Sequence, residues 1–198
     1  MTGRRWRLAI LLSGRGSNFE AIADAVRGGT IPDAEIVAVI SDVAAARGLE
    51  RARERALPSF TVERSVEESR RAHEERILEI LDRVRPDLVC LAGYMRILSA
   101  AFVSRYPERI LNIHPSLLPR YPGLEPQRRA LEAGEVESGC TVHVVDQGTD
   151  SGPIVLQRPV PILPGDDPES LSARILKEEH IAYPEAIAKV LAGLPRSD

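Results

Sequence analysis

Two polar residues at the end of an apolar run are the first candidates for chemistry in this sequence. Asn112 and His114 are separated by one residue in the run 110–114, which has the composition of a buried strand. Side chains two positions apart in a strand point to the same face, so the amide and the imidazole are predicted to lie side by side. Together they could donate hydrogen bonds to a developing oxyanion and move a proton. The alternative is a buried polar pair that only closes backbone hydrogen bonds.

A glycine-rich loop is the second candidate. Residues 13–18 (SGRGSN) follow the apolar run 8–12, and a helical pattern with Asn18 as its predicted N-cap comes next. Backbone N–H groups at such a junction favour anions. The dinucleotide fingerprint would need glycine where Phe19 stands, and no Gly-Lys-Ser/Thr follows, so the loop favours a monophosphate over a dinucleotide or triphosphate. A tight turn that merely needs glycine torsions is an equally good interpretation.

Asp150 is a third candidate, although its segment, residues 146–153 (DQGTDSGP), is also typical of a plain turn. If its carboxylate lay near His114, it would stabilise the imidazolium and raise the pKa of that histidine. The sequence alone does not say whether the two residues meet.

The remaining histidines and cysteines point to packing. His143 lies in an apolar run and is predicted to be a sheet or core residue, whereas His73 and His180 are predicted at the surface or at helix caps. Cys90 and Cys140 are predicted to be small core residues, with neither a disulfide framework nor a zinc site. Because no pair of histidines has ligand spacing, no metal site is expected.

The elements that must position these residues alternate along the chain. Apolar runs predict strands at 8–12, 36–40, 60–62, 88–92 and 110–114. Helical patterns lie between them at 18–28, 44–56, 65–84 and 97–106. The later elements are a proline-rich loop at 115–126, a helix at 127–132, β-runs at 140–145 and 154–160, and a helix at 168–192 interrupted at Pro184. This order predicts an α/β fold with an open, doubly wound, mostly parallel sheet and an antiparallel extension in the C-terminal half. We expect a single domain, with a phosphate- or nucleotide-binding half at 1–110 and a catalytic and folate-binding half at 111–198.

Composition excludes several classes of function. The chain has 198 residues, 43% hydrophobic and 28% charged, with a net charge of −3. That charge balance does not indicate a basic surface for binding nucleic acid. No apolar stretch approaches the ~20 residues of a membrane helix, and the N-terminal run is too short for a signal peptide. A cytoplasmic globular protein is expected.

Four motifs occur in order along the chain: SGRGSN at 13–18, LAGYMRIL at 91–98, LNIHPSLLPRY at 111–121 and DQGTDSGP at 146–153. Together they resemble the phosphoribosylglycinamide formyltransferase family of folate-dependent formyltransferases. The resemblance covers residues 7 to about 191. Methionyl-tRNA formyltransferase and formyltetrahydrofolate deformylase share the third motif but carry an extra domain, so the length and the first motif favour the ribonucleotide enzyme.

The resemblance implies a role for each matching position. It implies a Rossmann-like formyltransferase fold, glycinamide ribonucleotide and 10-formyltetrahydrofolate as substrates, no metal, and a possible homodimer. Asn112, His114 and Asp150 match the catalytic residues; Gly16, Ser17, Asn18 and Glu179 match ribonucleotide contacts; Arg70, Met95, Arg96, Ile97, Leu98 and Asn112 match folate contacts. The residues at 95–98 work largely through backbone groups in this family.

One position departs from the family pattern. Relatives commonly have histidine where this chain has Glu125, and often another at Gln127. The segment 115–132 is mobile in the family and borders the folate site. The loss of a titratable cation there changes the expected electrostatics of the loop but leaves the catalytic residues intact.

Overall fold

One seven-stranded sheet organises the residues that the computed structural model describes, 4–195. Its strands, in chain order, are Trp6–Leu12 (β1), Ala34–Ser41 (β2), Ser59–Thr61 (β3), Leu88–Leu91 (β4), Ile110–His114 (β5), Glu137–Val144 (β6) and Ile154–Pro161 (β7). The helices are Ser17–Gly28 (α1), Arg47–Glu54 (α2), Arg70–Val84 (α3), Ala100–Arg105 (α4), Pro126–Glu132 (α5) and Pro168–Gly193 (α6).

The strand order across the sheet is β3-β2-β1-β4-β5-β6-β7. Strands β1 to β5 pair in parallel, whereas β6 pairs antiparallel with both β5 and β7. The predicted α/β class, with a mostly parallel sheet and an antiparallel extension, is therefore confirmed. The chain leaves β1 in one direction and returns on its other side at β4, so the carboxyl ends of β1 and β4 flank the switch point where ligands of open α/β sheets bind.

Alternate residues of β1 serve the two faces of the sheet, as the period of a strand requires. Leu8 and Ile10 pack in the core that contains apolar residues of α1, α2 and α6. Ala9 and Leu11 pack in the core that contains residues of α3 and α4. Both faces are covered, which explains why the strands are continuous apolar runs. Cys90 lies in the first of these cores, as predicted.

The last helix differs from its prediction. Helix α6 runs without interruption through Pro184, which is buried. Its neighbours Tyr183, Ala186 and Ile187 are fully buried. Burial of this face offsets the backbone hydrogen bond that proline cannot donate, so tertiary packing outweighs the local preference.

Helices α2, α3 and α4 begin later than their patterns predict, α4 at Ala100 rather than 97. Helix α3 starts at Arg70 rather than near residue 65, because the Ser69 side chain accepts a hydrogen bond from the Ala72 N–H and caps the first turn. Helix α2 starts at Arg47 rather than 44.

In the described part of the chain, no helix is both long and apolar enough to cross a bilayer.

Candidate active site

The glycine loop forms a sharp turn between β1 and α1. Gly16 has φ +76°, and a Cβ there would lie 2.6 Å from the Cα of Gly48. Both the left-handed torsion and the close backbone approach require glycine. Gly16 itself is the N-cap of α1, and no side chain caps the first turn. The backbone N–H groups of that turn are consequently free to bind an anion.

Asn18 is not the predicted N-cap but a buried residue of α1 that faces another helix. Its Nδ2 donates to Glu179 Oε2 at 2.7 Å. Burial raises the pKa of Glu179, although the hydrogen bond from Asn18 acts in the opposite direction. Asn18 Oδ1 is buried without a hydrogen-bond partner in the described structure. A buried amide oxygen without a donor is costly, so this atom is suited to accept a hydrogen bond from a ligand.

A cavity of about 850 Å³ opens beside this pair. The predicted binding residues that line it are Gly16, Ser17, Asn18, Met95 and Glu179. Its wall also includes α5 and the N-terminal half of α6, so both halves of the chain contribute.

Two arginines line the cavity, together with the carboxyl groups of Glu125, Glu169 and Glu179. Arg15 lies in the glycine loop, and Arg128 lies in α5, where its Nη2 contacts Glu125 Oε1 at 2.7 Å. The departure at Glu125 therefore places a carboxylate in the cavity wall, but one that is already paired with a cation.

The three candidate catalytic residues lie together at the carboxyl end of β5. His114 Nδ1 is 3.3 Å from Asp150 Oδ2, and Asn112 Nδ2 is 3.4 Å from Asp150 Oδ1. Asp150 comes from the connection between β6 and β7, which folds back over the strand end. Asp150 therefore reaches His114, which the sequence alone did not show.

Both ring nitrogens of His114 face oxygen acceptors. Nε2 is 2.9 Å from the Tyr121 carbonyl oxygen, opposite the contact of Nδ1 with Asp150. A neutral imidazole has one N–H, so only the imidazolium can donate to both. Burial nevertheless lowers the pKa of His114, and the Tyr121 carbonyl and the Asp150 charge only partly offset it. The Asp150 charge raises this pKa, as expected from the sequence, but desolvation of the buried ring is the larger effect and the net shift is downward.

Asp150 is held in its charged form by its surroundings. Burial acts to raise its pKa, but hydrogen bonds from His143 and from the Gly123 N–H, together with the charges on the histidines, bring the pKa below its usual value. The Gly123 N–H donates to Asp150 Oδ2 at 2.9 Å. Asp150 is thus ready to stabilise positive charge on His114.

His143 also belongs to this cluster, although its sequence pattern predicted only a sheet or core residue. Its Nε2 is 3.2 Å from Asn112 Nδ2 and 3.6 Å from Asp150 Oδ1, and its Nδ1 is 3.1 Å from the Val144 carbonyl oxygen. A proton on Nδ1 suits the contact with Val144, and a proton on Nε2 suits the contact with Asp150. The predicted antiparallel extension could have indicated this contact, because Asn112 lies opposite His143 once β6 pairs with β5.

The segment 115–125, here called the covering loop, lies over the cluster. It supplies the Tyr121 carbonyl to His114 and the Gly123 N–H to Asp150. Neither His114 nor Asp150 is among the residues that line the cavity, whereas Pro115, next to His114, is. The catalytic candidates therefore lie beside the cavity and beneath the covering loop.

The candidate folate residues follow β4 or begin α3. Met95 and Ile97 are 76% and 63% exposed, whereas Leu98 is buried. The Arg96 Nε donates to Asp42 Oδ2 at 2.6 Å, and the Arg70 Nε donates to Glu74 Oε1 at 3.1 Å. Of this group, only Met95 lines the cavity.

Two other histidines lie deeper than predicted. His73 is 1% exposed, and its Nε2 lies 2.7 Å from the Val62 carbonyl oxygen. His180 is partly buried, with no partner for its Nε2 in the described structure. Among residues 4–195, no group of three His, Cys, Asp or Glu side chains is arranged to hold a metal ion.

Comparisons with known proteins agree on one family. The family model for formyl transferase matches residues 6–187. The chain is 46% identical to phosphoribosylglycinamide formyltransferase of Escherichia coli (strain K12), over 91% of this chain and 85% of that protein. It is 49% identical to the trifunctional purine biosynthetic protein adenosine-3 of Drosophila melanogaster, over 98% of this chain, but it spans only 14% of that protein's length. A crystal structure of glycinamide ribonucleotide transformylase 1 from Symbiobacterium toebii superposes with a TM-score of 0.93 at 48% identity, over 98% of this chain and 92% of that one.

Proposed function

This chain belongs to the formyl transferase family, and we propose that it transfers the formyl group of 10-formyltetrahydrofolate to the amine of glycinamide ribonucleotide. The products are formylglycinamide ribonucleotide and tetrahydrofolate, in purine biosynthesis. The observation that carries the proposal is the Asn112–His114–Asp150 cluster, which lies directly beside a cavity that begins at an anion-binding helix terminus. That arrangement joins acyl-transfer chemistry to phosphate recognition.

Residues of the glycine loop and α6 would hold the nucleotide. The N–H groups that follow Gly16 suit its phosphate, with Arg15 adding a cation nearby. The free Oδ1 of Asn18 and the carboxyl of Glu179 suit the N–H and hydroxyl donors of the remainder of the substrate. Ser17, the first residue of α1, lies at the same end of the cavity.

The loop after β4 would hold the folate. Met95 and Ile97 offer exposed apolar surface for a flat ring, and backbone groups at Arg96 and Leu98 offer hydrogen bonds. Arg70 would lie toward the anionic tail of the folate, with Asn112 at the formyl group. These assignments rest on the family resemblance together with the placement of the loop at the switch point of the sheet.

The reaction requires a tetrahedral intermediate. The amine nitrogen forms a bond to the formyl carbon, and negative charge develops on the formyl oxygen. The contact of Asn112 Nδ2 with Asp150 is long, at 3.4 Å, so this N–H can be redirected to that oxygen at little cost. One such donor is worth about 3–4 kcal/mol in comparable acyl transfers.

His114 completes the transfer. In its protonated form it donates to the oxyanion. It can then give this proton to N10 as the bond from the formyl carbon to N10 breaks, and take up the amine proton in its place; alternatively, an ordered water carries the amine proton to N10. Asp150 orients the ring through Nδ1 and favours its positive charge. Because Nε2 faces the Tyr121 carbonyl, the covering loop must release this nitrogen before it can face a substrate.

Release of tetrahydrofolate, measured with and without glycinamide ribonucleotide, tests the proposal. Release should require both substrates. Equal release without the nucleotide would support a hydrolase instead, and calorimetric binding of the nucleotide with no turnover would support a non-catalytic binding module. His114→Asn should keep the fold and lower turnover at least about a hundredfold, as the loss of general acid–base catalysis does. Near-normal turnover in this variant would remove His114 from the mechanism.

Three predictions from the sequence remain part of the proposal. Small-molecule substrates are expected, without nucleic acid or membrane partners, and the reaction is placed in the cytoplasm, where two unpaired buried cysteines are compatible with a reducing compartment. A homodimer stays a prediction, to be checked by light scattering.

A further inference from the structure

A buried carboxylate outside the catalytic cluster lies at the end of β2. Asp42 directly follows this strand, and its side chain is only 4% exposed. The Ser13 hydroxyl donates to Asp42 Oδ1 at 2.6 Å, and the Arg96 Nε donates to Asp42 Oδ2 at 2.6 Å. Both are short contacts to a charged acceptor, which are stronger than hydrogen bonds between neutral groups.

Ser13 connects this carboxylate to the loop after β4. The Met95 N–H donates to Ser13 Oγ at 2.9 Å, and the Ser13 N–H donates to the Gly93 carbonyl at 3.0 Å. A hydroxyl has one proton, and here that proton is directed to Asp42. The lone pairs of Ser13 are therefore turned toward the Met95 N–H, so the orientation of this hydroxyl depends on the carboxylate.

These contacts bring together the carboxyl ends of three neighbouring strands. Asp42 follows β2, Ser13 follows β1, and the segment 93–98 follows β4. Asp42 holds the last of these at two points, through the Arg96 side chain and, by way of Ser13, through the Met95 backbone. A loop held at two adjacent positions by a buried charge is fixed in one conformation.

We propose that Asp42 is a positioning residue for the formyl donor, which fixes the 93–98 segment so that its backbone groups and the exposed Met95 side chain can receive the folate. The proposal rests on the proposed function. It also changes the role of Arg96: its Nε is bound to Asp42, so Arg96 contributes by holding its own loop rather than by binding folate through that nitrogen.

The test is Asp42→Asn, which keeps the size of the side chain and removes its charge. We expect KM for 10-formyltetrahydrofolate to rise about tenfold or more, the range of one charge-assisted hydrogen bond. kcat should change by less than about threefold, and KM for glycinamide ribonucleotide should stay unchanged. The Met95 amide should also exchange its hydrogen faster, because its acceptor is no longer oriented.

Asp82→Asn is the matched control. Asp82 pairs with Arg105 at 2.8 Å, but both side chains are more than half exposed and lie on α3 and α4. It should leave both KM values unchanged. Arg96→Gln removes only one of the two contacts, so it should raise the folate KM less than Asp42→Asn does, and the double variant should be no worse than Asp42→Asn alone.

Ser13→Ala separates positioning from general stability if Asp42→Asn folds poorly. It leaves the Asp42–Arg96 pair intact and removes the hydroxyl that donates to Asp42 and accepts from the Met95 N–H, so a smaller rise in the folate KM is expected. An unchanged folate KM in folded Asp42→Asn or in Ser13→Ala would overturn the proposal. If the wild-type protein transfers no formyl group, the proposed function is wrong instead. Calorimetric binding of tetrahydrofolate to wild type and Asp42→Asn then decides the role of Asp42, and equal affinities would refute it.

Discussion

Removal of the charge of Asp150 is the sharpest test of the catalytic cluster. Asp150→Asn keeps an oxygen that can accept from the Gly123 N–H, so the loop connection has a replacement acceptor. It removes the negative charge that lies 3.3 Å from His114 Nδ1. We expect a loss of turnover because the imidazolium that forms during the reaction loses its partner.

The distance sets the size of the effect. Two unit charges 3.3 Å apart attract by about 5 kcal/mol at an effective dielectric constant of roughly 20, and by about 1 kcal/mol in bulk water. The His114 and Asp150 side chains are 7% and 14% exposed, so the environment is closer to the first limit. At about 1.4 kcal/mol per decade of rate, kcat should fall by about 10² to 10³.

The pKa of His114 gives an independent readout. Asp150 raises that pKa against the effect of burial, so Asp150→Asn should lower it below its already depressed wild-type value. NMR titration of the His114 ring measures this shift, and steady-state turnover at saturating substrates measures kcat. Asp146→Asn is the control, because Asp146 lies in the same segment but bonds only to the Gly148 N–H and the Ser151 hydroxyl. A kcat within threefold of wild type in folded Asp150→Asn, or an equal loss in Asp146→Asn, would refute the reasoning.

Three further outcomes are expected. Gly16→Ala should cost about 1–3 kcal/mol of stability and weaken nucleotide binding, because its Cβ would lie 2.6 Å from the Cα of Gly48 at a φ of +76°. Gly14→Ala, with open space at its Cβ, is the control. Equal denaturation midpoints of the two variants would contradict the prediction. Tyr183→Phe should lower the free energy of unfolding in urea by about 1–3 kcal/mol with little change in kcat, because the buried hydroxyl donates to two strand carbonyls at 3.0 and 2.9 Å. Burial lowers the pKa of His180 from 6.5, so the unfolded protein binds more protons at this residue and stability is lost as the pH falls below 6.5. His180→Gln should lessen that loss, which urea titrations at about pH 7.5 and 5.5 measure. An unchanged pH dependence of the free energy of unfolding would refute the assignment.

Most of the fold could be predicted because buried parallel strands carry a local signature. Strand β5 is an apolar run of the predicted bounds, and alternate residues of β1 pack on opposite faces of the sheet. Helix boundaries were less predictable. The pattern at Pro184 suggested a break that does not occur, because the stabilising contacts of α6 come from elements distant in the chain.

The candidate site divides along the same line. The adjacency of Asn112 and His114 follows from strand periodicity within five residues, so the sequence was sufficient. The positions of Asp150 and His143 depend on how β6 pairs with β5, and no local pattern specifies that register. A histidine in an apolar strand resembles a packing residue until its opposite neighbour is known.

Burial decides the net pKa shift of His114. The Asp150 carboxylate and the Tyr121 carbonyl both raise this pKa. In the structure the covering loop and the sheet exclude water from the ring, so desolvation exceeds the attraction to Asp150 and the net shift is downward. The same loop places the Tyr121 carbonyl at Nε2, where the imidazolium is the form that satisfies both neighbours. Cover by this loop therefore acts on the protonation of His114 in two directions, because burial disfavours the charged ring whereas the Tyr121 carbonyl favours it.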